Sequence, residues 1–305
     1  MPRYPTSTPT LLIIGGAEDR VGKASLLRKF VRLSGGRRSR LVVIPTASSF
    51  QDEVVASYTE VFTRLGAPTI DVVNPSSRLE AADPALAALI DGATGVFMSG
   101  GSQLRLSQFI PGTPLGDALH RAHARGCVIA GTSAGASIMS EFMISMGEEG
   151  VTPRQRASQI SAGLGLVKDV VIDQHFGQRS RYGRLMSVIA PSPSLIGIGI
   201  DEDTAILVQD GRTFEVLGSG GVFVVDCRSA VTDAPDARRG APMLVSGAVV
   251  HTLPAGATFD LHEVRLTDFV QHHPDPVVRL EMAKPARSTS KPQPTPSARR
   301  QEQLR

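Results

Sequence analysis

The chain has 305 residues, 41% hydrophobic and 20% charged, which is ample for one large α/β domain or two small ones with a sizeable core. Its formal net charge of +3 is no sign of nucleic-acid binding: residues 283–305 alone hold six bases and one acid, so the rest carries −2 and a basic nucleic-acid-binding face is not supported. Two cysteines, Cys127 and Cys227, exclude a disulfide framework; their apolar surroundings (GCVIAG, VFVVDC) read as buried reduced thiols in strands.

The amino end, MPRYPTSTPTLLIIGGAED, lacks a basic-then-apolar leader pattern, and no apolar run approaches the length of a membrane span. A cytoplasmic protein with no membrane partner is expected. LLIIG (11–15) reads as a buried strand, followed by a helix from Val21 to Leu33. RLVVIPT (40–46) is a second strand, with a helix from Glu53 to Leu65 after it. TIDVV (69–73), GVFMSGG (95–101) and CVIAGTS (127–133) are further strands, separated by helices near Pro84–Ile90 and Leu115–Ala124. Strands apolar on both faces, alternating with helices, predict a mostly parallel, doubly wound sheet covered on both sides.

From Val170 the pattern changes. VVIDQHF (170–176) reads as a strand, RYGRLMSVI (181–189) as a short helix and LIGIGID (195–201) as another strand. TAILVQ, TFEVLG, GVFVVD and GAVVHTL then form antiparallel hairpins that finish the domain. Residues 1–282 are thus one α/β unit, and 283–305, rich in Pro, Ser, Gln and bases, are expected to be a disordered tail.

Several strands end in small or polar residues: Gly15-Gly16, Thr46-Ala47-Ser48, Gly100-Gly101 and Thr132-Ser133. In open α/β sheets ligands bind beyond the carboxyl ends of the strands, so the chemistry is expected on that rim. There Gly131-Thr132-Ser133-Ala134-Gly135 matches G-x-S-x-G, between a strand and an apolar stretch, ASIMSEFM, read as a helix. The glycines permit a sharp turn that exposes the serine hydroxyl and leaves backbone N–H groups for an oxyanion. The candidate donors are Gly101 and Ala134. The competing reading is a plain strand-to-helix turn with Ser133 as a cap.

A serine needs a base, and the base needs a partner that fixes its tautomer. His175 stands at the carboxyl end of VVIDQH, 42 residues after Ser133, and the acids Asp201, Glu202 and Asp203 follow the next strand. Spacing alone leaves open which of the three serves. Arg179, Arg181 and Arg184 crowd the start of a predicted helix, where the dipole disfavours cations. They are read as a site for an acidic ligand, against the alternative of surface arginines paired to Asp or Glu.

GGAED (15–19), GGSQLRL (100–106), GTSAGASIM (131–139), GLGLVKDVVIDQHF (163–176) with the three arginines, and GIDEDTA (198–204) resemble the cyanophycinases and, more distantly, peptidase E. The resemblance implies a fold similar to class I glutamine amidotransferases, with a serine where those enzymes carry a cysteine. It places the nucleophile at Ser133, the base at His175 and the acid at Glu202. It places substrate binding at Gln103, Asp173, Gln174, Arg179, Arg181 and Arg184. It also implies a homodimer, no cofactor, and as substrate the polymer cyanophycin, a poly-aspartate chain bearing an arginine on each side-chain carboxyl, from which β-Asp-Arg dipeptides are released. One departure is Ser99-Gly100-Gly101-Ser102-Gln103, where a more glycine-rich run with Asn before the glutamine is expected. The polymer's arginines need acidic partners, for which Asp173 is a candidate and Glu18 and Asp19 are weaker ones. Two other readings compete: an aspartyl dipeptidase like peptidase E, and a non-catalytic α/β ligand-binding module, for which Gly15-Gly16 without a following G-x-G-x-x-G is the sole support.

Overall fold

A computed structural model of the chain describes residues 8–271 and 278–280; the tail expected at 283–305 lies outside the described residues. Five strands run parallel through the first half: β1 (Thr10–Ile14), β2 (Arg40–Ile44), β3 (Thr69–Val72), β4 (Gly95–Met98) and β5 (Val128–Thr132), in spatial order β1-β5-β4-β2-β3. Side chains alternate across a strand. Leu11 and Ile13 therefore enter one core with α3 (Pro84–Gly92) and α5 (Pro114–Ala124), while Leu12 and Ile14 enter the other with α1 (Ser25–Leu33) and α2 (Gln51–Arg64). A short α4 (Gln103–Phe109) follows β4.

Three features differ from the sequence-based expectation. First, α1 starts at Ser25, not Val21: the Asp19 carboxylate accepts from the amides of Val21, Gly22 and Ala24 and holds those residues as a loop. Second, the apolar stretch after Ser133 gives only one helical turn, α6 (Ala134–Ser137), before the hairpin β6 (Phe142–Gly147) and β7 (Ser158–Ala162).

Third, the second half does not simply extend one parallel sheet. β8 (Val170–Gln174) and β9 (Ile196–Ile200) pair in parallel within a separate four-stranded sheet, completed by β12 (Gly221–Asp226) and β15 (Val249–Pro254). β10 (Thr204–Gln209) returns to the main sheet antiparallel to β1, and β11 (Thr213–Gly218) follows it. Beyond the two-stranded ribbon of β13 (Val231–Thr232) and β14 (Val245–Ser246), the strands β16 (Ala257–Asp260), β17 (Arg265–Gln271) and β18 (Val278–Leu280) extend that antiparallel half.

The small sheet is itself packed on both faces. Ile172, Ile198 and Ile200 join the main-sheet core, whereas Val171 and Val225 pack with Leu185 and Ile189 of α7 (Tyr182–Ile189). This alternation decides where the next two side chains of β8 go: Asp173 follows Val171 towards α7, and Gln174 follows Ile172 towards the main sheet. Among the described residues no helix is long and apolar enough to cross a membrane, and no group of three His, Cys, Asp or Glu is placed to hold a metal ion. Cys127 and Cys227 are buried and unpaired, and burial pushes the Cys127 thiol up to about 12.

Candidate active site

Ser133 sits between β5 and α6 with φ 52° and ψ −113°, outside the regions a serine ordinarily occupies. The turn is held because its amide donates to the Ile14 carbonyl at 3.1 Å while the next residue starts a helical turn. As first residue of that turn, Ala134 has one of the N–H groups that a helix leaves unpaired. The Gly100–Gly101 bend lies beside it. Gly101, at φ +139°, approaches the Ala47 carbonyl so closely that a Cβ would stand 2.2 Å from the oxygen.

His175 also has a positive φ, 47°, which turns its ring off the alternation of β8 and over the main sheet. Its Nε2 lies 3.0 Å from Ser133 Oγ and its Nδ1 2.6 Å from Glu202 Oε1. A carboxylate only accepts, so Nδ1 bears the hydrogen and Nε2 presents its lone pair to the hydroxyl. Burial holds the His175 pKa below the ordinary value; the Glu202 hydrogen bond opposes this, while the charges of Arg179 and Arg181 add to it. The imidazole is therefore neutral at neutral pH, as a proton acceptor must be.

Of the three adjacent acids, only Glu202 faces the imidazole. Asp201 accepts from the amides of Gly177 and Gly221, and Asp203 accepts from the amide of Asp19 and from Ser219 Oγ. Both neighbours pin loops together, which leaves Glu202 as the acid in reach.

The glutamines form a chain leading to the serine. Ser133 Oγ also lies 3.3 Å from Gln174 Oε1, Gln174 Nε2 donates to Gln103 Oε1 at 3.3 Å, and Gln103 Nε2 donates to the Ile144 carbonyl. The departure at Ser102 leaves this chain intact.

Two of the three arginines, Arg181 and Arg184, do not stand as unpaired cations. Asp173, 1% exposed in its side chain, takes Arg184 in a two-pronged pair, Nε to Oδ2 at 2.6 Å and Nη2 to Oδ1. Arg181, also buried, donates to the Gln174 carbonyl at 2.6 Å and lies 3.5 Å from both Asp173 and Glu149. Asp173 thus offsets the charge of Arg184 and, in part, of Arg181, and its own oxygens are thereby spent. Arg179 is exposed and has no acidic partner among the described residues. Glu18 is likewise occupied: it is buried and accepts from Tyr58 and Thr132 hydroxyls, each at 2.5 Å. Beyond Arg184 a cavity of about 190 Å³ opens, lined by Glu148, Glu149 and Arg154 among others.

Sequence reasoning missed one contributor, the loop after β1. Gly15 O accepts from the His175 amide at 2.8 Å and Gly16 O from the Asp203 amide at 2.9 Å. Gly16, at φ +108°, floors the imidazole: a Cβ there would lie 2.3 Å from His175 Cε1. The doublet that supported a non-catalytic ligand-binding module is the seat of a histidine.

A strained serine at a strand-to-helix turn, beside a neutral imidazole held by a carboxylate, is the geometry of a serine hydrolase. The model of Peptidase family S51 matches residues 11–216, and the chain belongs to that family. It is 36% identical over 265 residues to Cyanophycinase of Trichormus variabilis, covering 86% of this chain and 89% of that protein. It is also 36% identical over 264 residues to Cyanophycinase of Synechococcus elongatus, covering 86% and 81%. Among solved structures, a peptidase from an acI-B1 Actinobacterium shares the fold at a TM-score of 0.62 and 20% identity, over 84% of this chain and 98% of that one.

Proposed function

We propose that the chain is a cyanophycinase, a serine exopeptidase that releases β-Asp-Arg dipeptides from cyanophycin. The observation that carries the chemistry is the line from Glu202 through His175 to Ser133, at 2.6 and 3.0 Å. Ser133 Oγ attacks the main-chain carbonyl carbon as its proton passes to His175 Nε2. The resulting oxyanion is received by the N–H groups of Ala134 and Gly101. Glu202 supports the imidazolium, which returns the proton to the departing amine and leaves an acyl-serine. Water, deprotonated by the same imidazole, then releases the acid and restores the serine. The fold is read as related to class I glutamine amidotransferases, with Ser133 where those enzymes carry cysteine.

For the substrate, Arg179 supplies a free cation beside the base for a carboxylate. The acids at the neighbouring cavity that would meet substrate arginines are Glu148 and, shared with Arg181, Glu149, since Asp173, Glu18, Asp19, Asp201 and Asp203 are bound internally. Arg181 and Arg184 then act by fixing Asp173 and the Gln174 backbone. The test is to incubate purified protein separately with insoluble cyanophycin and with short aspartyl peptides. Release of β-Asp-Arg from the polymer is expected. Turnover of the short peptides alone would reassign the chain as an aspartyl dipeptidase, and no turnover of either would remove the hydrolase reading.

A further inference from the structure

Glu18 is a buried carboxylate that the chemistry just described does not use. It is 5% exposed, and its two oxygens are met by two neutral hydroxyls, Tyr58 Oη on Oε1 and Thr132 Oγ1 on Oε2, both at 2.5 Å. The Tyr58 ring is packed 4.6 Å from Phe97, and burial, with Glu18 next to it, drives its pKa well above the ordinary value, so the phenol keeps its proton and donates. Arg20 lies over the Tyr58 ring at 5.6 Å, and among the described residues Glu18 makes no ion pair. A charge buried against neutral donors is a poor way to stabilise a fold, because removing it from water costs more than such hydrogen bonds return.

Its position suggests another use. Thr132 is the last residue of β5 and immediately precedes Ser133, whose backbone is strained. Glu18 itself lies in the loop in which Gly15 accepts the His175 amide, Gly16 floors the imidazole and the Asp19 amide donates to Asp203 beside Glu202. We propose that Glu18 is a positioning residue: by holding Thr132 it ties the nucleophile's strand end to the loop that seats the base, and so sets the Ser133–His175 approach. This rests on Ser133 being the nucleophile and His175 the base. A misplacement of about 1 Å between such groups costs roughly a hundredfold in rate. Loss of the tie therefore acts on kcat and leaves substrate binding alone.

The experiment compares Glu18→Gln, Thr132→Val, Thr132→Ser and Ser133→Ala with the unaltered protein. Three quantities are read: the rate of covalent labelling by a small fluorophosphonate, followed by intact mass; kcat and KM on soluble cyanophycin oligomers; and Tm. The expected result is that Glu18→Gln and Thr132→Val lower labelling rate and kcat together, by about 10- to 100-fold, with KM little changed. Thr132→Ser, which keeps the hydroxyl, restores most of both rates. The acid limb of the pH profile stays in place, because the His175–Glu202 pair is untouched. Thr132→Val swaps a hydroxyl for a methyl at one buried position, so it remains informative if Glu18→Gln does not fold. Labelling of folded Thr132→Val at the unaltered rate, while Ser133→Ala does not label, would overturn the positioning role. So would a loss of activity that tracks only the loss of folded protein. Labelling of Ser133→Ala at the unaltered rate would instead overturn the nucleophile assignment, and the proposal with it.

Discussion

Two charged constellations share the segment from β8 to α7, and neighbouring residues feed them. Gln174 and His175 face the main sheet and join Ser133 and Glu202, whereas Asp173, one residue earlier, faces α7 and is closed off by Arg184 and Arg181. In the first group the Glu202 side chain is 36% exposed and the imidazole lone pair points at a hydroxyl that can react. In the second, Asp173 and Arg184 are 1% and 6% exposed and spend their charge on each other. Strand alternation sends Asp173 to α7 and Gln174 to the main sheet, and the positive φ of His175 breaks it to bring the imidazole beside Ser133. A cluster of like charges in sequence says little until its partners are known.

The sharpest way to break this division is at the acid. Glu202→Gln is expected to lower kcat on cyanophycin by about three to four orders of magnitude, because an amide neither holds the tautomer nor supports the imidazolium. Tm should barely move, the side chain being at the surface. Asp201→Asn or Asp203→Asn causing the larger loss of kcat would transfer the role.

The second group should answer in stability. Arg184→Ala leaves Asp173 buried without its two-pronged partner, a change that typically costs about 3–5 kcal/mol. That is a fall in Tm on the order of 10 °C at this size, measurable by calorimetry. Lost activity at unchanged Tm would mean that Arg184 serves the substrate directly.

Gly16→Ala forces a methyl against the His175 ring in a backbone conformation alanine disfavours. Steady-state kinetics should show kcat lower by about 10- to 100-fold and KM nearly unchanged. An unaffected kcat would show that the imidazole is not seated by this loop.

The smallest expected effect is on pH dependence. The lowered pKa of His175 places the acid limb of kcat/KM below the ordinary histidine value of 6.5, activity falling as pH drops and the imidazole takes a proton. Removing the Arg179 charge in Arg179→Gln takes away one cause of the lowering. The limb should then move to higher pH, and a shift to lower pH would contradict the electrostatics.

Much of this was legible from residue patterns. Short apolar runs, such as LLII and RLVVI, named all five parallel strands, and G-x-S-x-G with a histidine at a later strand end picked out the two side chains that the structure places 3.0 Å apart. The choice among Asp201, Glu202 and Asp203, which the resemblance made, was not legible from spacing, because the chain leaves β9 at Ile200 and the amides that claim the two aspartates come from distant loops. Nor was the separate sheet of β8 and β9, since an apolar run does not say which sheet it joins. The stretch ASIMSEFM read as a helix, yet only Ala136 and Ser137 of it stay in α6, and its last two residues, Phe142 and Met143, already belong to β6. The pairing of Arg184 with Asp173 was hidden because alternation had to be followed through β8 to see which way the carboxylate faced.

The most direct test of the account is the turnover of insoluble cyanophycin by Ser133→Ala, with its Tm measured alongside. A protein with the Tm of the unaltered enzyme and release of β-Asp-Arg lowered by at least about a thousandfold is predicted. A folded Ser133→Ala protein that releases the dipeptide at the unaltered rate would contradict the assignment of Ser133 as nucleophile, and with it the division between the reacting and scaffolding charges.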